Sequence, residues 1–421
     1  MWFLPTLFAA GAFATVAAAH YSAFLLPQEL PIDVSEAAIK DILTIIGSSM
    51  LAVATFALAT MVNALSGAAQ AASPRAVRLI AEDRAAQTAI STFVGAFLFA
   101  VVGIIALSGG FFTASGRLIL FAATIVVVAL VVGALIRWIN EISSIGQMGE
   151  TMARVERSTT RAFCEIAETP LFGCCERTAA QDGAVAVHAT QVGFVQHIVP
   201  AELQKVAEEN DLWIHVVARP GVYVTRAQPL VMVAGPTSED VLCRMRGAFV
   251  VGHDRTFDHD PLYGVSVLTE IASRALSPGV NDPGTAINVI HTQVRILDGW
   301  MARKPDLRPQ AQFGRVSMTR ITANDVLTTA FRPIIRDGAS NVEVCLGVCE
   351  ALKAIRATAP QVFCTAVDAI AADLLTRVRT EMSHPPDVRL VEEAASAVVA
   401  CRPLAAARHL ISGTTPSSPC P

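Results

Sequence analysis

The chain has 421 residues, of which 53% are hydrophobic and 16% are charged, and its formal net charge is −4. A mean hydropathy of +0.49 is too high for an ordinary soluble protein. A net negative charge provides no general basic field, so we expect no nucleic-acid partner. Charged residues are sparse up to Ile142 and dense from Glu150 onward, which divides the chain into a membrane part and an aqueous part.

Four apolar stretches are each long enough to cross a hydrocarbon core, which needs about 20 residues. None of them contains Asp, Glu, Lys or Arg, and a charge at the centre of such a helix costs about 2.5–3.5 kcal/mol. They predict about four transmembrane helices, with the lipid bilayer as their partner, at residues 2–27, 42–65, 89–107 and 118–136. Ala17 to Ala19 resemble a signal-peptidase site, so the first stretch is either a retained helix or a cleaved signal peptide.

The distribution of Lys and Arg in the loops predicts the orientation, because cytoplasmic loops are enriched in these residues. Loop 28–40 is acidic, whereas loop 66–87 holds three arginines and the segment after the fourth stretch holds several more. We therefore expect a multi-pass protein of the bacterial cytoplasmic (inner) membrane with both termini in the cytoplasm. All nine cysteines lie in the C-terminal part, where a reducing compartment predicts buried thiols rather than disulfides.

The second apolar stretch carries small, weakly polar residues near helical spacing. These are Gly47, Ser48, Ser49, Ala52, Thr55, Ala59 and Asn63. Such a stripe is typical of close helix packing, with hydroxyls bonded to backbone or to neighbouring helices. The alternative is a pore or a substrate path, which Asn63 favours because an amide facing lipid is costly. Ser48, Ser49, Thr55 and Asn63 are the pore or packing candidates.

The predicted fold class is an α-helical membrane block followed by a cytoplasmic α+β domain. We divide the chain into the membrane block 1–147, a helical connector 148–182, a β-rich module 183–260, a helical part 261–412 and a disordered tail 413–421. The β-rich module looks like the barrel-sandwich folds of lipoyl and biotin carriers. Such a carrier needs a lysine at a hairpin tip, whereas the module's Lys205 lies in a predicted helix. We therefore reject the carrier function and expect no cofactor.

The turn 277–285 joins two predicted helices. Asp282 is expected to cap the second helix, with Pro283 at its first position. This interpretation leaves Ser277 and Asn281 unexplained. A helix N-terminus also attracts anions, so the turn is a candidate anion or ligand site formed by Ser277, Asn281, Asp282, Gly284 and Thr285.

The loop 253–260 concentrates residues that ligate metals, namely His253, Asp254, Asp258, His259 and Asp260. They form a candidate site for a divalent metal, although their spacing matches no known zinc motif. The alternative is a solvent-facing loop in which Asp260 caps the next helix. Cys174, Cys175, Cys345 and Cys349 are interpreted as core residues. The sequence contains no phosphate loop, nucleophile elbow or HExxH helix, so whether the chain is an enzyme stays open.

Three pieces of the chain resemble a known family. They are Gly47-Ser48-Ser49-Met50, the run 248–252 with Arg255-Thr256, and the run 274–286, which contains Ala-Leu-Ser-Pro-Gly-Val-Asn-Asp-Pro. Together they resemble the predicted membrane proteins of domain-of-unknown-function family 2254. The resemblance spans nearly the whole chain and implies a membrane architecture, but it supplies no activity. The family pattern has Gln-Asp where this chain has His259-Asp260.

Two functions remain open. The first is a homo-oligomeric channel or transporter with a cytoplasmic regulatory domain, because four helices alone barely enclose a pathway. The second is a membrane-anchored enzyme or ligand sensor that uses the loop 253–260 together with the turn 277–285. The observation that separates them is whether this loop and this turn meet in one cleft.

Overall fold

A computed structural model describes residues 35–71, 75–76, 84–110, 112, 114–144, 148–177, 179–181, 183–303 and 311–400, with scattered residues between 6 and 18. The chain forms two compact units, Met1–Thr151 and Met152–Pro421. The predicted first span, 2–27, lies largely outside the described residues, and the predicted tail, 413–421, lies wholly outside them.

Among the described residues of the N-terminal unit, three helices are long and apolar enough to cross a membrane. They are α1 (Glu36–Ala71), α2 (Arg84–Ser108) and α3 (Ala114–Ser144). They contain the predicted spans 42–65, 89–107 and 118–136, which are confirmed as membrane-length helices. The prediction of four spans is confirmed only for these three. Each helix extends beyond its apolar stretch because polar residues such as Glu36 continue the helix.

The three helices pack around side chains that include Leu43, Phe93 and Leu120, one from each helix and all fully buried. α3 also points large apolar side chains outward, and Ile125 and Val126 are 54% and 58% exposed. A helix that is apolar on nearly every side fits a lipid surrounding rather than water.

The C-terminal unit combines helices and strands in chain order. Its elements are α4 (Met148–Glu168), a 3₁₀ turn (Pro170–Gly173), β1 (Cys174–Glu176), β2 (Val185–His188), β3 (Gly193–Ile198), α5 (Pro200–Glu209), β4 (Trp213–Val216), β5 (Tyr223–Val224), β6 (Pro229–Ala234), α6 (Glu239–Gly247), β7 (Phe249–Gly252), α7 (Pro261–Ala275), α8 (Pro283–Ala302), β8 (Phe313–Met318), α9 (Ala323–Gly338), α10 (Val342–Thr358), α11 (Pro360–Glu381) and α12 (Pro385–Ala400).

The strands pair into two sheets. The five-stranded sheet has the order β1-β8-β4-β6-β2, in which β8 is parallel to both neighbours and the other pairs are antiparallel. The three-stranded antiparallel sheet has the order β5-β3-β7. Buried residues of both sheets, such as Val195 and Val231, share one hydrophobic core. The predicted barrel-like module is not confirmed, because the strands pair as two separate sheets.

Strand β8 comes from the part of the chain that the sequence predicts to be helical, 261–412. It lies between β1 and β4, so the larger sheet draws strands from outside the predicted module 183–260. The run Arg315 to Thr319 alternates polar and apolar residues as a strand does, and the prediction of a helical part at 261–412 overlooks this signal.

The helices of the C-terminal part follow their predicted periodicity. α7 and α8 each begin with proline directly after a capping aspartate. α9 buries an apolar face that includes Val326, Phe331 and Ile334. These faces pack together, while most charged side chains stay on the opposite faces.

Candidate functional site

The loop 253–260 and the turn 277–285 lie at opposite ends of α7. The loop ends at the residue before Pro261, and the turn begins just after Ala275. Because α7 has 15 residues and each adds about 1.5 Å, the two segments are about 22 Å apart. They do not meet in one cleft, and a site composed of both is not formed.

The turn 277–285 is a helix junction. The Asp282 carboxylate accepts hydrogen bonds from the Thr285 N–H (3.0 Å) and the Thr285 hydroxyl (2.6 Å), which confirms the predicted cap. These bonds, with one from the Gly284 N–H, lower the pKa of Asp282. The Ser277 hydroxyl donates to the Arg274 carbonyl at 2.6 Å. The N–H groups of Gly284 and Thr285, which an anion at this turn would need, therefore already bond to the Asp282 carboxylate.

Asn281 has a conformational role in this turn. Its φ is +50°, in the left-handed region that Asn tolerates better than most residues, and its N–H donates to the Ser277 carbonyl at 2.9 Å. The turn thus explains both residues that the sequence left unexplained, and binding at this turn remains a prediction.

The five candidate metal ligands of the loop 253–260 do not converge. Asp260 is only 4% exposed and accepts two hydrogen bonds from Arg255, at 2.8 and 3.0 Å, and one from the Tyr263 N–H. The last bond confirms the predicted cap. His253, Asp254 and Asp258 are exposed. Among the described residues, no three His, Cys, Asp or Glu side chains gather as a metal site.

The surroundings of Asp260 fix a neighbouring turn. Gly221 has φ +87°, and a Cβ there would collide with the Asp260 carboxylate. The Gly221 N–H also donates to the Val195 carbonyl at 2.8 Å. This contact requires glycine and places Arg219 and Pro220 beside the loop. Burial raises the pKa of Asp260, and the Arg255 guanidinium opposes that shift.

His259 of the loop 253–260 lines a cavity in the C-terminal unit. Its ring lies 5.7 Å from the Phe172 ring and 4.7 Å from the His197 ring, and its Nδ1 lies 3.6 Å from a Glu165 carboxylate oxygen. A β-bulge at Gln196 interrupts the pairing of β3 with β7, and bulges of this kind redirect side chains. The bulge precedes His197, the neighbour of His259.

We call this cavity the cleft. Its volume is about 150 Å³. The buried walls are apolar, and they include Phe163, Pro170, Leu171, Pro261 and Met318. The rim carries polar side chains, namely Arg219, His259, Thr319, Arg320 and Thr322. Trp300, Met301 and Val362 complete the lining. An apolar floor with a few polar groups is the usual character of a small-molecule site.

Strained backbone concentrates at the cleft. Within the described ranges, five residues other than glycine have positive φ. Three of them line the cleft, namely Leu171 (φ +55°), Phe172 (φ +54°) and His259 (φ +60°). Such conformations cost about 1–3 kcal/mol each and cluster at ligand clamps and active sites. The remaining two, Asp211 and Asn281, lie elsewhere.

Trp300 contributes an aromatic wall to the cleft. Its ring packs 4.9 Å from the Phe163 ring and 6.4 Å from the Phe363 ring. The indole Nε1–H is buried and has no acceptor in the part of the chain that the structure describes. A buried donor without a partner costs about 1–3 kcal/mol.

Three buried thiols are not suited to nucleophilic chemistry. Burial raises the pKa of Cys174 and of Cys345 to about 12 and that of Cys349 to about 11. They are therefore protonated at neutral pH, and the thiolate is the reactive form. The prediction that these three are core residues is confirmed, whereas Cys175 is only partly buried.

The residues of the small, weakly polar stripe on α1 differ in burial. Gly47 is buried, and a Cβ on it would lie 3.6 Å from the Ala100 Cβ of α2. Ser48, Ala52, Thr55, Ala59 and Asn63 lie on an exposed face of the N-terminal unit as described. The hydroxyls of Ser48, Ser49 and Thr55 donate to carbonyls of the preceding turn. Only part of the stripe is therefore covered by α2.

A family model described as "Predicted membrane protein (DUF2254)" matches residues 1–354. The chain belongs to this family. Similar proteins include an uncharacterized protein of Mycobacterium bovis and two uncharacterized proteins of Mycobacterium tuberculosis, each 31% identical over 114 residues. The match covers 26% of this chain and 22% of each relative, so the chain spans about a fifth of the length of these relatives. No solved structure matches the chain significantly.

No pattern in the sequence predicts that most residues of the cleft line a cavity. Arg219 and Pro220 are visible only as a turn, and Phe163 and Trp300 are visible only as apolar residues of helices. The cleft depends on contacts between distant segments, and Leu171 and Phe172 have no local preference for the conformation they adopt.

Proposed function

We propose that this protein is a membrane-anchored ligand sensor, and that its C-terminal unit binds a small molecule in the cleft. The observation that carries this proposal is the convergence of Leu171, Phe172 and His259, all with positive φ, on one apolar cavity. The lining of the cleft supports it, because apolar walls combined with a few polar side chains, such as Arg219 and Thr322, are typical of small-molecule sites. The proposal uses the loop 253–260 through His259 and leaves the turn 277–285 out.

The test is thermal unfolding of the full chain in lipid nanodiscs against a chemically diverse library of small molecules. Ala323→Trp fills the cleft from the first turn of α9. Ala201→Trp makes the same change in the first turn of α5, away from the cleft. We expect compounds that raise the melting temperature of the wild type and of Ala201→Trp but not of Ala323→Trp. Equal responses of the two variants, or no stabilising compound at all, would overturn the proposal.

A second proposal concerns the membrane unit: a homo-oligomeric channel or transporter in which α1 faces a neighbouring subunit. Its support is the exposed part of the stripe, including Thr55 and Asn63, because polar groups facing lipid are costly. Light scattering in detergent tests it. We expect an oligomer that Asn63→Leu weakens and that Val62→Leu, on the adjacent exposed position, leaves intact. A strict monomer would make a pathway between subunits untenable.

The membrane topology completes the proposal. We propose four crossings, including 2–27, in a bacterial inner membrane with both termini in the cytoplasm, supported by the arginines of loop 66–87. A reporter fused after Pro421 should be active only in its cytoplasmic form, and one inserted near Asp33 should report the outside. A cytoplasmic signal at Asp33 would refute this order.

A further inference from the structure

We infer that the ligand of the cleft is a small apolar carboxylate, with its hydrocarbon part against Phe163 and Trp300 and its carboxylate at Arg219. This inference rests on the proposed function, namely that the cleft binds a ligand, and it specifies the chemical class. Three features of the cleft restrict that class: the apolar floor, the small volume and the arrangement of charge at the rim.

The floor requires an apolar body of modest size. Phe163, Met318 and Leu171 are 1%, 3% and 8% exposed, so a ligand that reaches them contacts hydrocarbon and aromatic carbon. The volume of about 150 Å³ is smaller than the roughly 300–1,000 Å³ of sites for drug-sized molecules. A single ring or a short alkyl chain suits this space, and a nucleotide or a complete lipid does not.

The positive charge of Arg219 restricts the polar part of the ligand. Arg219 lines the cleft, and its guanidinium attracts an anionic group and repels an ammonium group. A primary amine is therefore excluded as the group that lies at Arg219.

The charges at the rim favour a single negative charge. Arg320 already forms two hydrogen bonds with Glu176, both of 3.1 Å. Arg219 lies 3.7 Å from the nearest Asp325 oxygen, which is longer than a hydrogen bond. Its guanidinium can therefore donate hydrogen bonds to a ligand carboxylate, whose geometry matches the arginine fork. Glu176, Asp325 and the nearby Glu165 would repel a second negative charge, which disfavours a phosphate dianion.

The probes are four molecules that share one hydrocarbon body: 3-phenylpropionate, 3-phenylpropanol, 3-phenylpropylamine and 3-phenylpropyl phosphate. Titration calorimetry uses the full chain in nanodiscs of zwitterionic lipid, with empty nanodiscs subtracted. We expect the carboxylate to bind most tightly and the alcohol about tenfold more weakly, because hydrogen bonds to charged groups are the stronger ones. The amine should not bind, and the phosphate should bind more weakly than the carboxylate.

Variants assign the contacts. Arg219→Gln should weaken the carboxylate about tenfold and leave the alcohol unchanged, and Arg219→Lys should give an intermediate loss because it keeps the charge without the fork. Trp300→Phe should weaken both molecules. Arg244→Gln is the matched control, since Arg244 pairs with Glu209 on the surface outside the cleft lining. Melting temperatures of all four variants establish that they are folded.

Several outcomes would overturn the inference. They are equal affinities for carboxylate and alcohol, tightest binding of the amine or the phosphate, and no effect of Arg219→Gln on the carboxylate. If none of the four probes binds but a library compound still distinguishes Ala323→Trp from Ala201→Trp, the carboxylate class is wrong and the proposed function stands. If no compound distinguishes them, both fail.

Discussion

The two ends of α7 carry the same junction in different surroundings. Each has an aspartate followed by a proline at the first helical position, and both Asp260 and Asp282 cap a helix through a backbone N–H three residues later. Asp260 is 4% exposed and also binds Arg255 and packs on Gly221. Asp282 is exposed, and its carboxylate accepts hydrogen bonds from within its own turn. The same Asp-Pro motif therefore only joins two helices at Asp282, whereas at Asp260 its proline, Pro261, lines the cleft.

The carboxyl groups show this difference in their ionisation. Burial raises the pKa of Asp260, although the hydrogen bonds from Arg255 oppose that shift. Asp282 is exposed to solvent, and hydrogen bonds from Thr285 lower its pKa. Desolvation disfavours a charged group and hydrogen bonding to the charged form favours it. The tertiary contacts around a motif therefore decide its chemistry, and the motif alone decides only its backbone geometry.

The largest expected effect is at the buried end. Asp260→Ala removes the cap and both hydrogen bonds from Arg255, whose side chain is 24% exposed. We expect it to lower the free energy of unfolding by about 2–4 kcal/mol, because a cap contributes about 1 kcal/mol and hydrogen bonds to charged groups about 1.5–3 kcal/mol. Thermal and chemical unfolding of the full chain measure the loss. Asp258→Ala is the control, because Asp258 is an exposed aspartate of the same loop and should change stability by about 0.5 kcal/mol or less. Similar losses for the two variants would remove the distinction between them.

The exposed end should respond more weakly. Asp282→Ala should cost about 0.5–2 kcal/mol, and Asp282→Ser or Asp282→Asn should restore most of the loss, since both residues cap helices. Because the pKa of Asp282 is lowered in the folded state, its ionised form stabilises the fold at neutral pH. That contribution disappears as the pH falls through the lowered pKa. The gap between wild type and Asp282→Ala should therefore close in strong acid, and a constant gap would contradict this account.

The sequence predicts elements that depend on local pattern. The apolar faces of α7 to α11, the Asp-Pro caps and three of the membrane spans follow from spacing and from the chemistry of single residues. It does not predict that β8 lies between β1 and β4, or that Leu171 and Phe172 adopt left-handed conformations. These features depend on partners that are distant in the chain, as does the cleft.

The membrane unit shows a different limit. Lipid is as apolar as the side chains that face it, so the periodicity of a spanning helix says little about which face is covered. The stripe on α1 is visible in the sequence, but the burial of Gly47 against α2 and the exposure of Thr55 and Asn63 are not. Length and composition suffice to predict the span, and only packing assigns its faces.

Asn281 permits a smaller test at the exposed end. Its φ of +50° costs other L-residues about 1–2 kcal/mol, whereas Asn and Gly tolerate it. Asn281→Ala should lower the free energy of unfolding by about 1 kcal/mol, and Asn281→Gly should lie close to the wild type. Unfolding curves of both variants measure this. An unchanged stability for Asn281→Ala, together with a lost ligand response, would instead return the turn to the list of binding sites.

The smallest expected effect is the pH dependence of stability that arises from His197, which lies beside His259 of the loop 253–260. Burial lowers the pKa of His197 from its ordinary 6.5, and the neighbouring His259 lowers it further. The folded state therefore binds fewer protons than the unfolded state just below pH 6.5, so stability falls as the pH drops through that value.

Melting temperatures between pH 7.5 and 5.5 measure this response. The wild type should lose stability toward acid, and His197→Gln should flatten the dependence without abolishing it. The remainder belongs in part to His215, whose pKa is lowered by burial and then by Arg177, so that His215→Gln should flatten it independently. His188→Gln, at an exposed position, is the control and should keep the slope of the wild type. A melting temperature that rises as the pH falls would contradict this prediction. Equal slopes for His197→Gln and His188→Gln would show that His197 does not cause the pH dependence, and His259 would then be only a residue that lines the cleft.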